Sequence, residues 1–285
     1  MKKIIFILLI TLVMCSNENN ELITQSKYLY NLPVNSDFYF KLNTGFFNKY
    51  KNLHKFFRFK QINVFFNSLG INFIKDVKYI YGSYCFNDSI KNSFYLKGKF
   101  KINKIKKAVA NTHIKFNSPY YDFYASKLIS NYSLSIKSDI NILISKKDSM
   151  YKRVPDSRVI FNALNILKRV NYLSQNWILI YSNDNTKAIL KKWPILEILS
   201  MASFFSVSLN PDKDNNALLK VDLKIYVWES TYTGEILTTL ENYINKLSYT
   251  YPLIKNSFYN LKTYYKGNFA QITFSLNLNK LKITE

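Results

Sequence analysis

Cysteine is almost missing from this chain. Its two copies are Cys15 and Cys85, so a disulfide framework of the kind that staples small secreted domains is excluded. Glycine is nearly as scarce. Six glycines scattered over 285 residues cannot assemble a phosphate-cradling loop, and there is no Gly-x-Ser-x-Gly nucleophile elbow. Histidine occurs only as His54 and His113, with no His-x-x-x-His or Cys-x-x-Cys spacing, so neither a metal nor another cofactor is expected. Asp37, Asp76, Asp139 and Asp222 each fall near the end of a strand-like segment. Turn and capping roles suit them better than paired acid–base work. These absences point away from an enzyme and toward a binding protein.

What the chain has in quantity is lysine, tyrosine and phenylalanine. The net charge is +22, and all 40 basic residues except Arg58, Arg153, Arg158 and Arg169 are lysine. Hydrophobic residues make up 48% and aromatics 17%, enough to build a real core rather than a disordered chain. The N-terminus is equally distinctive. Lys2 and Lys3 precede an apolar run from Ile4 to Val13 interrupted only by Thr11. Spanning a bilayer takes about 20 apolar residues, so this run has the dimensions of a signal-peptide core instead. Leu12-Val13-Met14-Cys15 follows, and then the polar stretch Ser16 to Glu21.

That tetrapeptide resembles a relaxed bacterial lipobox. Together with the Lys-, Asn-, Ile-, Phe- and Tyr-rich composition, it makes the chain resemble a Borrelia-type spirochaetal lipoprotein. The resemblance implies a signal peptide over 1–14, acylation of Cys15 and a membrane-anchored address in the cell envelope, with the choice between inner and outer membrane left open. It would leave Cys85 as the second cysteine, a buried thiol in the apolar run Tyr79 to Phe86.

Beyond a lipidated N-terminus and tether at 15–34, the pattern is α+β: two similar tandem units of antiparallel strands with short helices, at 35–150 and 175–285. A linking helix within 151–174 joins them. Each unit reads strand, two helices, two strands, helix, then further strands. In the first unit, apolar residues at Phe46, Phe47, Tyr50, Leu53, Phe56 and Phe57 trace one helical face. Gln61 to Leu69 reads as a second helix capped by Gly70, and Asn103 to Ala110 as a third. Strands are expected at Val77–Phe86, at Ser93–Phe100 and near 120–125, 131–137 and 139–145. In the second unit, strands are expected at 176–183, 203–209, 218–228, 261–266 and 269–278, with helices at 186–192, 194–199 and 233–247. The units align with an offset of 139 residues for the opening strand (Phe38 to Trp177), 125 for the second (Tyr79 to Phe204) and 130 for the last (Ile140 to Ala270).

The remaining chemistry is basic. One cluster holds Lys49, Lys51, Lys55 and Arg58 on the first helical segment. Another holds Lys97, Lys99 and Lys101, expected on one strand face, and Lys104 and Lys107 on the following helix. Such surfaces attract anionic lipid or sulfated glycan, or they solvate an ordinary amphipathic element. A secretion signal and the lack of an RNA-binding signature argue against nucleic acid. The expectation is therefore a lipid-anchored envelope protein that binds an anionic partner. The alternative is a carrier of a lipid or other apolar ligand in an aromatic-lined cavity.

Overall fold

The structure, a computed structural model, describes residues 32–33, 36–49, 59–87, 92–117, 122–126, 132–138, 141–145, 174, 176–191, 197–211, 218–250 and 258–277. Within these residues twelve antiparallel strands build a single sheet. They are β1 (Phe38–Asn43), β2 (Val77–Tyr84), β3 (Ser93–Gly98), β4 (His113–Asn117), β5 (Asp122–Ser126), β6 (Ser133–Ser138), β7 (Asn141–Ser145), β8 (Asn176–Tyr181), β9 (Ala202–Pro211), β10 (Leu218–Val227), β11 (Phe258–Lys266) and β12 (Phe269–Asn277). The helices are α1 (Thr44–Lys49), α2 (Phe59–Ser68), α3 (Phe73–Asp76), α4 (Ile102–Ala110), α5 (Asp184–Leu190) and α6 (Thr231–Thr250), with a 3-10 turn at Glu197–Met201.

Across the sheet the order is β11-β12-β10-β9-β8-β1-β2-β3-β7-β6-β5-β4. The central pair is β1 with β8. Moving outward, the halves read β1-β2-β3-β7 and β8-β9-β10-β12. In each half a helix, α4 or α6, leaves the third strand before the chain returns to pair with it. The α+β class with two similar tandem units is thus the observed architecture. The first half adds a hairpin, β4–β5, at its outer edge. Strand β4 went unexpected, although Ile114 and Phe116 alternate with polar neighbours there.

Register decides which side chains share a face. Phe40, Ile80, Leu96, Ile142 and Ile144 point to one side, where Phe46, Phe66 and Phe73 from α1–α3 and Ile105 and Val109 from α4 pack on them. On the same face of the second half, Ile225, Ala270 and Ile272 meet Ile236, Leu237 and Leu240 of α6. Leu96, Val109, Ile142, Ile225 and Ile236 are wholly excluded from water. Each such residue contributes about 1.5–3 kcal/mol. The opposite face carries Tyr39, Tyr81, Tyr95, Phe123, Leu143, Trp177 and Leu179.

These faces correct one alignment of the two units. The offset of 125 carries Ile80 onto Phe205, and that of 130 carries Ile142 onto Ile272, both helix-facing pairs. The offset of 139 carries Phe38 onto Trp177, whose side chains point to opposite faces. The opening strands therefore correspond with an even offset, one residue away.

Local signals place the helices. Gly70 adopts φ 74° after α2. Its N–H donates to the Asn67 carbonyl at 2.9 Å, and the Ile71 N–H to that of Phe66 at 3.0 Å, satisfying the end of the helix as expected. Helix α3 was not anticipated. Asn72 caps it, accepting from the Lys75 N–H, while the Asp76 carboxylate accepts from the Asn72 N–H at 2.7 Å. Helix α5 starts two residues early because Asn183 and Thr186 form a reciprocal capping box. Of the expected helix at 194–199, residues 194–196 lie outside the described residues and 197–199 belong to the 3-10 turn. The linking helix in 151–174 lies outside the described residues.

Candidate functional site

The antiparallel order gives the sheet two distinct ends. The entry end is where the chain comes into β1 at Phe38. It also gathers the ends of β2, β7, β8, β10 and β11 and the starts of β3, β4, β6, β9 and β12. The far end holds Asn43, Val77, Gly98, Asn141 and Asn176.

The second lysine cluster assembles at the far end. Strand β3 stops at Gly98, so Lys97, Lys99 and Lys101 do not share a strand face, contrary to expectation. Lys97 follows the helix-facing Leu96 and projects to the tyrosine side of the sheet, opposite Asn141. Lys99 lies beyond the strand, its N–H donating to the Asp76 carbonyl at 2.8 Å. Lys101 occupies the N-cap of α4 and makes no side-chain cap bond. Ile105 and Val109 turn α4 toward the core, leaving Lys101, Lys104, Lys106 and Lys107 exposed. The structure thus brings Lys99, Lys101, Lys104 and Lys107 together around α4 and separates Lys97 from them. The side chains of Lys49, Lys51, Lys55 and Arg58, and Cys15 itself, lie outside the described residues, as does His54.

The uncapped start of α4 has an electrostatic consequence. A helix N-terminus bears about half a positive charge, and here cationic side chains surround it with no acidic residue in the first turn. That arrangement repels itself and attracts anions.

At the entry end a buried carboxylate joins the two units. Asp37 is 1% exposed. It accepts from the Phe86 N–H at 2.6 Å and from the Asn183 side-chain amide, while its carbonyl accepts from the Tyr181 N–H at 2.9 Å. At the far end Asn176 plays the mirrored part, its Oδ1 accepting from the Asn43 N–H at 2.8 Å. Beside Asp37, the Tyr39 hydroxyl donates to the Pro33 carbonyl at 2.8 Å and accepts from the Ser36 N–H at 3.1 Å. Burial pushes this phenol up to about 12. Burial also lowers the His113 imidazole, whose Nδ1 lies 2.8 Å from Thr112 Oγ1.

No protein-family model and no curated sequence matches this chain. Similarity appears among solved structures. Crystal forms III, IV and I of TP0453, a lipoprotein of the spirochaete Treponema, superpose with TM-scores of 0.54, 0.51 and 0.51 at 12%, 11% and 10% identity. Each match covers 89% of this chain and 94–95% of that one. At such identity the likeness shows a shared fold.

Two features escaped the sequence reading. Lys41, within the strand Phe38-Tyr39-Phe40-Lys41-Leu42-Asn43, is only 4% exposed. Its register partners are Trp177 and Tyr81, and its Nζ sits 5.3 Å from the Tyr79 ring centroid. A charge flanked by residues that are apolar on both strand faces was the available signal. The second feature is Asp37, whose role rests on contacts nearly 50 and 150 residues away. Among the described residues no group of three His, Cys, Asp or Glu side chains could hold a metal, and the Cys85 thiol is buried and outside any disulfide. No described helix is long and apolar enough to cross a membrane.

Proposed function

We propose that this chain is a lipid-anchored cell-envelope protein that binds an anionic partner, without catalysis, through lysines at the far end of its sheet. The observation that carries this reading is the uncapped α4 N-terminus ringed by exposed Lys99, Lys101 and Lys104, with Lys107 one turn along. The lipobox supports the anchor, and the fold shared with a treponemal lipoprotein supports the envelope address. Among the described residues the aromatic side chains go into packed clusters and onto the surface, which favours a surface role over a carrier's lined cavity.

The partner offers clustered anionic groups, as in a sulfated polysaccharide. Exchanging Lys99, Lys101, Lys104 and Lys107 for Gln should elute the protein from heparin at distinctly lower salt. Lys97→Gln, pointing to the other face, should change elution little. Equal effects of the two would overturn the assignment of the site, and unchanged elution of the quadruple variant would mean that these lysines only solvate α4.

A further inference from the structure

The exposed apolar side chains are not spread evenly. Nine large hydrophobic residues are exposed among the described residues, and seven of them stand at the entry end: Phe86, Ile114, Met201, Trp228, Tyr232, Tyr264 and Tyr265. Only Val64 and Ile74 lie elsewhere. The second half of the sheet holds the densest group. Trp228 is 66% exposed, Tyr265 61% and Tyr264 53%.

This rim is held rigidly. The Val227 N–H donates to the Asn268 carbonyl at 2.9 Å, and Asn268 Nδ2 donates to the Trp228 carbonyl at 3.0 Å, fixing Trp228 beside the β11–β12 turn. Thr233 Oγ1 donates to the Gly267 carbonyl at 2.8 Å, fastening the start of α6, and with it Tyr232, to the same turn. Tyr264 and Tyr265 are consecutive strand residues, so their rings project to opposite sides of β11. The rim is therefore a two-sided aromatic edge on a stiff hairpin, rather than a patch on one face.

We propose that this aromatic edge seats in the headgroup region of the membrane that carries the lipidated Cys15. The inference rests on the anchor reading above. Two observations select a lipid interface as the occupant. Trp and Tyr pair an apolar body with a polar tip, the combination that concentrates at membrane–water boundaries. The chain also enters the fold at this end: Pro33 is held by Tyr39, and Leu32 packs among the buried residues of the tyrosine face. Cys15 lies seventeen residues before Leu32, a reach of at most about 60 Å when extended, and the chain leading back to it departs from the end of the sheet that carries the rim. Charge does not drive the contact. The exposed carboxylates Glu229, Asp184 and Glu197 share this end with Lys266 and Lys191, so attraction to anionic headgroups is largely offset there. The same geometry turns the lysines around α4 away from the anchoring membrane, toward a partner on the other side.

The test uses the mature chain carrying Cys15→Ala, which has no acyl chain to hold it. This protein should float with phosphatidylcholine vesicles, and its tryptophan emission should shift to the blue on binding. Replacing Trp228, Tyr264 and Tyr265 together by Ala removes three rings that are each more than half exposed, and urea unfolding of the variant confirms that the fold is kept. It should weaken flotation by at least about ten-fold, and raised salt should leave the parent's binding nearly unchanged. No flotation of the parent, or equal flotation of the triple variant, would overturn the proposal. So would binding restricted to anionic vesicles and abolished by salt. A triple variant that changes oligomeric state instead would make the rim a contact between copies and also overturn it. Whether the wild-type chain carries fatty acid is measured separately by metabolic labelling, so failure of the anchor and failure of the rim are told apart.

Discussion

The two ends of the sheet are built from the same topological parts and have opposite surfaces. Each end closes the central β1–β8 pair with a side-chain oxygen on the first strand turn: Asp37 at the entry end, Asn176 at the far end. At the entry end most of the exposed large apolar residues are aromatic and the exposed charges are mixed. At the far end the start of α4 carries exposed lysines and no acidic residue. A duplicated framework thus leaves its ends free to diverge, because the packed residues lie on the sheet faces and the ends contribute little to the core. That difference is the basis for proposing a membrane at one end and a partner at the other.

The far end is the easier to break. Gly98 ends β3 where the chain turns toward Lys99 and α4. A Cβ there would lie 1.8 Å from the Asp76 carbonyl oxygen, a backbone atom with no rotamer to yield. Gly98→Ala should cost at least about 3 kcal/mol, beyond ordinary overpacking because the backbone itself must move. Urea unfolding measures it, and heparin elution should change with it because α4 is displaced. A variant within about 0.5 kcal/mol of the parent would show that the turn relaxes freely.

Next in size is a direct contrast of the two clamps. Asp37→Ala strands the part-buried Phe86 N–H and the Asn183 amide, each previously bonded to a carboxylate, and should cost about 2–3 kcal/mol. Asn176→Ala removes one good acceptor, at 2.8 Å to the Asn43 N–H, and a marginal 3.4 Å bond to the Leu209 carbonyl. It should cost about 1–2 kcal/mol. Equal losses would mean that the carboxylate's charge adds nothing at the entry end.

How much of this was legible in the sequence follows from the range of each signal. Gly70, the Gly267-Asn268 turn and the periodicity of α6 are local, and they placed their elements within a few residues. The return of β7 to β3 and of β12 to β10 is not local, so element order is legible in the sequence while the single continuous sheet is not. The lysines show the same limit. Their count was visible, but β3 ends at Gly98, so Lys97 keeps its place on the tyrosine face while Lys99 leaves the strand. The aromatic rim was invisible because Tyr264, Tyr265 and Trp228 look like core residues until the hairpin is known to be the edge of the sheet. One misread residue in the opening strand was enough to pair Phe38 with Trp177 across opposite faces, since strand side chains alternate with period two.

The smallest predicted effect tests how firmly Pro33 is held at the entry end. Tyr39→Phe removes the bonds to the Pro33 carbonyl and the Ser36 N–H but keeps the ring. At neutral pH the loss should be about 1 kcal/mol. The sign of its pH dependence follows from the raised phenol. An unfolded tyrosine ionises near about 10, whereas burial holds the folded Tyr39 up to about 12. Above about pH 10 the unfolded chain therefore releases a proton that the folded chain keeps, and the stability Tyr39 contributes is lost as pH rises through that window. Below it the contribution is fully present. The phenylalanine variant has no such proton to lose. Its deficit relative to the parent, measured by urea unfolding at about pH 7 and about pH 11, should shrink by roughly 1 kcal/mol at the higher pH. A deficit that stays constant would show that the Tyr39 hydroxyl is open to solvent, and that Pro33 is not fastened at this end of the sheet.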